Sequence, residues 1–369
     1  MTHAQTLARE FAGRQVLITG GAGFTGIWLS AMLEQLGAQV ATLGLALTRQ
    51  VRPTGAGSLM LTGGLGSREI DCDIRDLGAL QGHLTDVAPE IVLHLAAQPL
   101  VLDSFERPYE TISSNATGTL NVLEAACAVD SVQTILIVTS DKVYRNDDGG
   151  RAMQETDALG GSDPYSSSKV AAEAIALGYA QALQRSGPRI AIARAGNIIG
   201  GGDWSADRLV PDFVRSVAAK KRLLLRNPGA TRPWQHVLDA AAGYLMFTAA
   251  LRDTNSAFAG QLCPALNLGP PVEDCIAVSA VLAILNELSG SDAPQSVPGM
   301  DTVGQGREKR LLQLNTDLAE TALGWQPRLR IKEALGLCWD VYGALVEGRD
   351  AQAVQQEQIR SYLALLGAR

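Results

Sequence analysis

The chain of 369 residues has no run of eighteen apolar residues free of charges and turn formers, so nothing in it reads as a membrane-spanning helix. Met1 to Phe11 carries Glu10 and polar side chains where a secretory leader would have an apolar core. A cytoplasmic protein with no membrane partner is expected. Cysteine is sparse: Cys72, Cys127, Cys263, Cys275 and Cys338 are scattered without paired spacing, which suits neither a disulfide framework nor a zinc site, and no metal is expected. A basic block is also missing and the net charge is −7. Nucleic-acid binding draws most of its free energy from neutralised phosphates, so no nucleic-acid partner is expected. With 46% apolar and only 19% charged residues, the chain can bury a sizeable core, and its ligand is expected to be a small molecule.

What is present is an alternation. Short β-branched apolar runs at Gln15–Thr19, Gln39–Leu43, Ile91–Leu95, Gln133–Thr139 and Arg189–Arg194 predict strands buried on both faces. Between them Ile27–Leu36, Leu77–Val87, Asn115–Ala128 and Ser166–Gln184 have helical length and spacing. Right-handed crossovers make this an α/β, Rossmann-like doubly wound parallel sheet. After Arg194, stretches such as Gly200–Asp203, Asn227–Pro233 and Gly269–Pro271 predict loops around a second, smaller C-terminal lobe. Arg52–Gly66 reads as an irregular excursion between strands.

Three constellations carry chemistry. Thr19-Gly20-Gly21-Ala22-Gly23-Phe24-Thr25-Gly26 leaves the first strand, turns and opens a helix, with Gly20, Gly23 and Gly26 spaced so that backbone amides can approach a pyrophosphate. The second strand ends Leu43-Gly44-Leu45-Ala46 without the carboxylate that holds an adenosine ribose, and Thr48 and Arg49 follow. An arginine there suits a 2′-phosphate, so NAD and NADP both stay open on these residues. Asp73, closing the third strand, is placed to accept from an adenine amine. Tyr165 and Lys169 lie four residues apart on one helix face. A phenol of pKa about 10 is a poor base, and a neighbouring ammonium favours its phenolate. The fifth strand delivers Ser140, Asp141 and Lys142 to the carboxyl edge of the sheet, where ligands bind in such folds. Ser140 suits a substrate hydroxyl. Asp141 and Lys142 are two more proton-transfer groups than an alcohol oxidation requires.

With these residues the chain resembles the extended short-chain dehydrogenases, and more narrowly the CDP-glucose 4,6-dehydratases, nearly end to end. The resemblance is carried by the glycine turn through Trp28, by His94-Leu95-Ala96-Ala97-Gln98-Pro99-Leu100-Val101, by Thr139-Ser140-Asp141-Lys142, and by Gly160-Gly161-Ser162-Asp163-Pro164-Tyr165 through Lys169. Further on come Arg194-Ala195-Gly196-Asn197, Gly201-Gly202-Asp203-Trp204, Asp207-Arg208-Leu209 and Arg232-Pro233-Trp234-Gln235-His236. Related dehydratases of other nucleotide sugars usually carry Asp-Glu after the fifth strand, whereas this branch, like this chain, carries Asp-Lys. Thr25, Asp103 and the glycines around Gly55–Gly66 depart from the branch pattern.

The resemblance implies NAD as cofactor, contacted by Gly20, Gly23, Phe24, Thr25, Gly26, Asp73, Ile74, Leu95, Ala96, Ala97, Gln98, Asn115, Thr139, Tyr165 and Lys169. It implies CDP-glucose or another nucleotide-hexose as substrate, contacted by Gln98, Ser140, Asn197, Asp203, Trp204, Arg208, Leu209, Arg232, His236 and Glu308, the arginines suiting phosphates. Residues 1–196, with 233–264 returning, would form the dinucleotide-binding domain, and 197–232 with 265–369 the sugar-nucleotide lobe. The implied reaction is oxidation at carbon 4, elimination of the 6-hydroxyl and reduction at carbon 6. Its catalytic residues would be Ser140, Asp141, Lys142, Tyr165 and Lys169, with Lys142 either the base or an electrostatic stabiliser. A homodimer or homotetramer is implied as well. Asp141 and Lys142 argue against the alternative, a nucleotide-sugar 4-epimerase, and the presence of both Tyr165 and Lys169 argues against a non-catalytic dinucleotide sensor.

Overall fold

The computed structural model describes residues 1–45, 68–145, 150–183, 186–225, 227–290, 297–298 and 312–368. Its strands are β1 Gln15–Thr19, β2 Gln39–Gly44, β3 Arg68–Asp71, β4 Ile91–His94, β5 Thr134–Val138, β6 Arg189–Ala195, β7 Asn197–Ile199, β8 Leu224–Leu225, β9 Thr231–His236, β10 Ala265–Leu268, β11 Cys275–Ala277 and β12 Val297–Pro298. Seven of them form one parallel sheet in the order β10-β6-β5-β4-β1-β2-β3. The order reverses between β1 and β4, which opens a crevice at the carboxyl ends of those strands. Thr19 stands opposite His94 there.

Strand alternation builds two cores. Val16, Ile18, Ile91, Leu93, Leu136, Ala191 and Ala193 point to one face, packed by the helices Phe24–Gln35, Val237–Arg252, Ile331–Glu347 and Ala351–Gly367. Leu17, Val92, Ile135, Ile137, Ile190 and Ile192 point to the other, packed by Leu77–Val87, Gly118–Cys127 and Pro164–Leu183. The five strands given ranges from the sequence are present, with ends that differ by a residue at most, the third strand ends at Asp71 and leaves Asp73 in the turn after it, and Leu77–Val87 is a helix over that span. Asn115–Ala128 is not uniform: a π-helical turn, Ser113–Thr117, precedes the α-helix Gly118–Cys127. Such turns are frequent at functional sites, and this one contains the buried Asn115.

Beyond Arg194 the chain is more ordered than a set of loops. Val237–Arg252 is a helix buried along nearly its whole length, so it has no polar face for a periodicity to reveal. Ala265–Leu268, placed in the smaller lobe by the division above, pairs with β6 as the seventh strand of the main sheet. The rest of the second half makes a small mixed sheet, β11-β9-β7, and the strand pair β12-β8. Asp239 ties the terminal segments down, accepting from the backbone N–H groups of Arg328 at 2.7 Å and Leu329 at 3.3 Å and from the Tyr362 hydroxyl at 2.6 Å. Among the described residues no helix is long and apolar enough to cross a membrane, and no cluster of potential ligands could hold a metal ion.

Candidate active site

The turn after β1 fits a dinucleotide diphosphate. Gly20 has φ +74°, and a Cβ there would stand 2.7 Å from the Ala96 amide nitrogen, while one on Gly26 would stand 2.3 Å from the Gly20 carbonyl oxygen. The chain must therefore be bare at both positions to turn this tightly. Gly23 caps the helix Phe24–Gln35 without any side-chain acceptor, which leaves its first amides directed at the crevice, the arrangement that binds anions. Below the turn His94 bridges the hydroxyls of Thr19 at 2.6 Å and Thr119 at 2.9 Å. Burial lowers its pKa to about 3, so it stays a neutral strut.

Around the crevice, Leu95 and Ala96 are bound back to Thr19 through their amides. Asn115 accepts from the Gln98 amide at 2.7 Å and donates to the Gln98 carbonyl at 3.0 Å and to Ser168 Oγ at 2.9 Å, joining the loop after β4 to the helix of Tyr165. Ala97 lies in that loop, and Ile74 is buried beneath Gly118. Asp73 is held by Arg75 through its amide at 2.9 Å and its guanidinium at 2.5 Å. Thr48, Arg49 and Glu308 lie outside the described residues, as does the whole glycine-rich Arg52–Gly66 excursion.

A cavity of about 350 Å³ opens at the carboxyl edge of the sheet, a size suited to a small ligand. Thr139, Ser140, Asp141 and Lys142 enter it from the end of β5, and Tyr165 from the helix Pro164–Leu183. Asn197, Asp203, Arg208, Leu209 and Arg232 line it from the smaller lobe, and Thr25 from the glycine turn. Ser140 Oγ donates to Asp141 Oδ1 at 2.9 Å and accepts from the Lys142 amide at 3.2 Å, so one hydroxyl sets the turn that carries all three residues. Asp141 is 2% exposed and its Oδ2 has no partner. Burial raises its pKa, against the opposing pull of Lys142, the Ser140 hydrogen bond and Arg232.

Tyr165 is raised to about 12, again chiefly by burial, with the hydrogen bond to Ser140 pulling the other way. Lys169 Nζ donates to the Val138 carbonyl at 3.2 Å. Burial lowers Lys169 to about 8, and Glu173, one turn further along the helix, pulls it back up. The spacing of Tyr165 and Lys169 leads one to expect an ammonium holding a phenolate; in the structure desolvation dominates both groups. Asp203 and Arg208 form an ion pair at 3.1 Å on the opposite wall.

Three side chains expected at the ligand have partners within the protein. His236 is fully buried, caps the helix Val237–Arg252 by accepting from the Leu238 amide at 3.2 Å, and meets Trp28 edge-on at 5.9 Å. Trp204 packs against Tyr342 at 5.2 Å, outside the cavity lining. The Gln98 side chain is spent on its own loop, donating to the Leu100 carbonyl at 3.0 Å and to Thr111 Oγ1 at 2.8 Å. Conversely, the sequence reading did not single out Glu173, Tyr144 and Asn267, which with Arg194 form a buried network behind the site. Arg194 binds Glu173 at 2.6 Å and the Tyr144 hydroxyl at 2.7 Å, and that hydroxyl donates to Asn267 at 2.6 Å. Glu173, one turn after Lys169, was open to the same helical-spacing argument. Asn267 was not, because it arrives from a strand far along the chain.

Residues 16–258 match the model of the NAD dependent epimerase/dehydratase family. The chain is 36% identical over 358 residues to the CDP-glucose 4,6-dehydratase of Salmonella typhimurium, covering 95% of this chain and 97% of that protein. MoeE5 in complex with UDP-glucuronic acid and NAD superposes with a TM-score of 0.71 at 27% identity, over 88% of this chain and 97% of MoeE5. Epimerase Mth375 of Methanothermobacter thermautotrophicus shares the fold, with a TM-score of 0.77 at 23% identity over 94% of this chain and 97% of Mth375. The chain belongs to the NAD dependent epimerase/dehydratase family.

Proposed function

We propose that this protein is a CDP-glucose 4,6-dehydratase, forming CDP-4-keto-6-deoxyglucose and water. The observation that carries the reading is Asp141: a fully buried carboxyl, biased by burial toward its protonated form, beside Tyr165 at the end of β5. Oxidation at carbon 4 or epimerisation has no use for such an acid, whereas loss of a hydroxyl does. The Salmonella relative, alike over nearly the full length of both chains, supports the same substrate.

NAD would be held at its diphosphate by Gly20, Gly23, Phe24, Thr25 and Gly26, at its adenine by Asp73 and Ile74, and along its nicotinamide half by Leu95, Ala96, Ala97, Gln98, Asn115, Thr139, Tyr165 and Lys169. Bound there, it supplies reversible hydride acceptance, so that carbon 4 is oxidised and carbon 6 reduced with no net consumption. Tyr165 takes the proton of the 4-hydroxyl while Ser140 holds the same oxygen and Lys169 stabilises the phenolate. Once carbon 4 is a ketone, the carbon-5 proton is acidic. Lys142 would take that proton, or steady the enolate charge while a water takes it, and the proton returns to carbon 5 as carbon 6 receives the hydride. Asp141 gives its proton to the departing 6-hydroxyl, and water is released.

Arg208 and Arg232 would bind the nucleotide diphosphate, with Asp203, Asn197 and Leu209 completing that wall. Residues 1–196, with 233–264 and the strand at 265–268, would act as the cofactor domain, and the remainder as the sugar-nucleotide lobe. A homodimer would form through the packed helices Pro108–Ile112, Gly118–Cys127 and Pro164–Leu183, which leave the apolar side chains Tyr109, Ile112, Leu120 and Leu177 exposed. The test of the activity is incubation with CDP-glucose and NAD, followed by the alkaline absorbance of a 4-keto-6-deoxy sugar. Turnover of TDP-, UDP- or GDP-glucose in preference would overturn the choice of nucleotide.

A further inference from the structure

Among the described residues every tyrosine hydroxyl that is not freely exposed is paired, with one exception. Tyr144 donates to Asn267 at 2.6 Å, Tyr179 to Glu124 at 2.7 Å, Tyr342 to the Asp203 carbonyl at 2.5 Å and Tyr362 to Asp239 at 2.6 Å. Tyr165 shares a hydrogen bond with Ser140, and Tyr109 is exposed. Tyr244 is 0% exposed and its hydroxyl has no partner.

Its position gives that exception a meaning. Tyr244 stands on the helix Val237–Arg252, which packs against β5 and β6, the strands that end at Val138 and Ala195. Its ring belongs to the apolar core, yet the residue also forms part of the cavity wall with Ser140, Asp141, Tyr165 and Gly196. It is close enough to Tyr165 for a charge on one phenol to be felt by the other. A hydroxyl desolvated without a partner is a standing cost, and phenylalanine would fill the same volume without it. Burial pushes the Tyr244 pKa up, so the group keeps its proton, and its capacity to donate, around neutral pH.

We propose that Tyr244 is a ligand-binding residue of the reaction chamber, its hydroxyl donating a hydrogen bond to an oxygen of the bound reactants. The acceptor is either a hexose hydroxyl or the carboxamide oxygen of the nicotinamide. The assignment rests on reading the cavity as the reaction chamber. A donor that keeps its proton around neutral pH can hold such an oxygen beside Tyr165 without competing in the proton transfers that Tyr165 performs.

The test is Tyr244→Phe in the full chain. Without ligands the variant should melt at or above the wild-type temperature, because the substitution removes an unpaired hydroxyl and no contact. Calorimetric titration then separates the two acceptors, with NAD alone, with CDP-glucose in saturating NAD, and with CDP in saturating NAD. Loss of one neutral hydrogen bond weakens binding about 3- to 10-fold. That loss on the NAD arm identifies the carboxamide, and on the CDP-glucose arm but not the CDP arm identifies the hexose. Wild-type affinity on all three arms overturns the proposal, as does a lowered melting temperature without ligand accompanied by equal loss for CDP. If the wild type turns over CDP-glucose and the variant matches its kcat and KM, only the Tyr244 assignment fails. If the wild type is inert toward CDP-glucose while the variant still binds NAD more weakly, the substrate reading fails and Tyr244 stands.

Discussion

The Arg194 guanidinium closes on both carboxylate oxygens of Glu173, at 2.6 Å for the shorter contact, with the two side chains 5% and 3% exposed. Glu173 also accepts from the Thr139 hydroxyl at 2.6 Å, and its charge opposes the fall that burial imposes on the Lys169 pKa. One carboxylate thus anchors the end of β5, the end of β6 and the charge of the helix between them. Breaking a buried pair from one side leaves the other charge uncompensated, at a cost of about 3–5 kcal/mol. Glu173→Gln should lower the free energy of unfolding by that order in denaturant titrations. A loss below about 1 kcal/mol, the range of exposed pairs, would show that the network does not hold the site together.

Lys169 offers a pH test. Its pKa falls from 10.5 unfolded to about 8 in the fold. Below about 8 both states hold the proton and the full desolvation penalty is present. Between 8 and 10.5 the folded chain has released a proton that the unfolded chain keeps, so stability rises with pH, and above 10.5 the penalty is gone. Compared with Lys169→Met, the wild type should therefore gain on the order of 3 kcal/mol across that window. A stability difference between the two that stays flat with pH would mean that Lys169 is not desolvated.

Gly20→Ala places a side chain at φ +74° with its Cβ 2.7 Å from the Ala96 nitrogen. Backbone lies on both sides of the contact, so neither partner can swing away. Affinity for NAD should fall at least about 10-fold, equivalent to some 1.4 kcal/mol. Gly82→Ala, on the helix Leu77–Val87 with nothing within 4 Å, should leave NAD binding intact. Equal NAD affinity in both variants, by calorimetry, would remove the glycine turn from the cofactor site.

Leu120 and Leu177 are 37% and 44% exposed on neighbouring helices. If this face joins two copies of the chain, replacing both with glutamate buries two like charges per copy in the contact. Light scattering should then report monomers where the wild type is dimeric. A double variant of unchanged mass would place the interface elsewhere.

The sheet and its crevice were legible because strands buried on both faces write themselves as short apolar runs, and because Gly20 and Gly26 are demanded by close approach rather than by preference. Tyr165, Lys169, Ser140, Asp141 and Lys142 were legible as local patterns and do converge on one cavity. What was not legible depends on distance in the chain or on the absence of a pattern. The family resemblance makes Trp204 and His236 ligand contacts, but it does not show that their rings pack against Tyr342 and Trp28, which come from distant helices. Tyr244 lies in a helix apolar all round, where no periodicity separates a core tyrosine from a cavity one. The raised pKa of Asp141 comes from burial, which spacing does not encode.

The most direct test of the proposed oxidation, elimination and reduction is to supply CDP-glucose deuterated at carbon 4 and to locate the label in the product by NMR. The account predicts deuterium at carbon 6 of a 4-keto-6-deoxyhexose, with no NADH accumulating and no product from Tyr165→Phe. Deuterium still at carbon 4 of a sugar that has kept its 6-hydroxyl would contradict it and make the protein an epimerase.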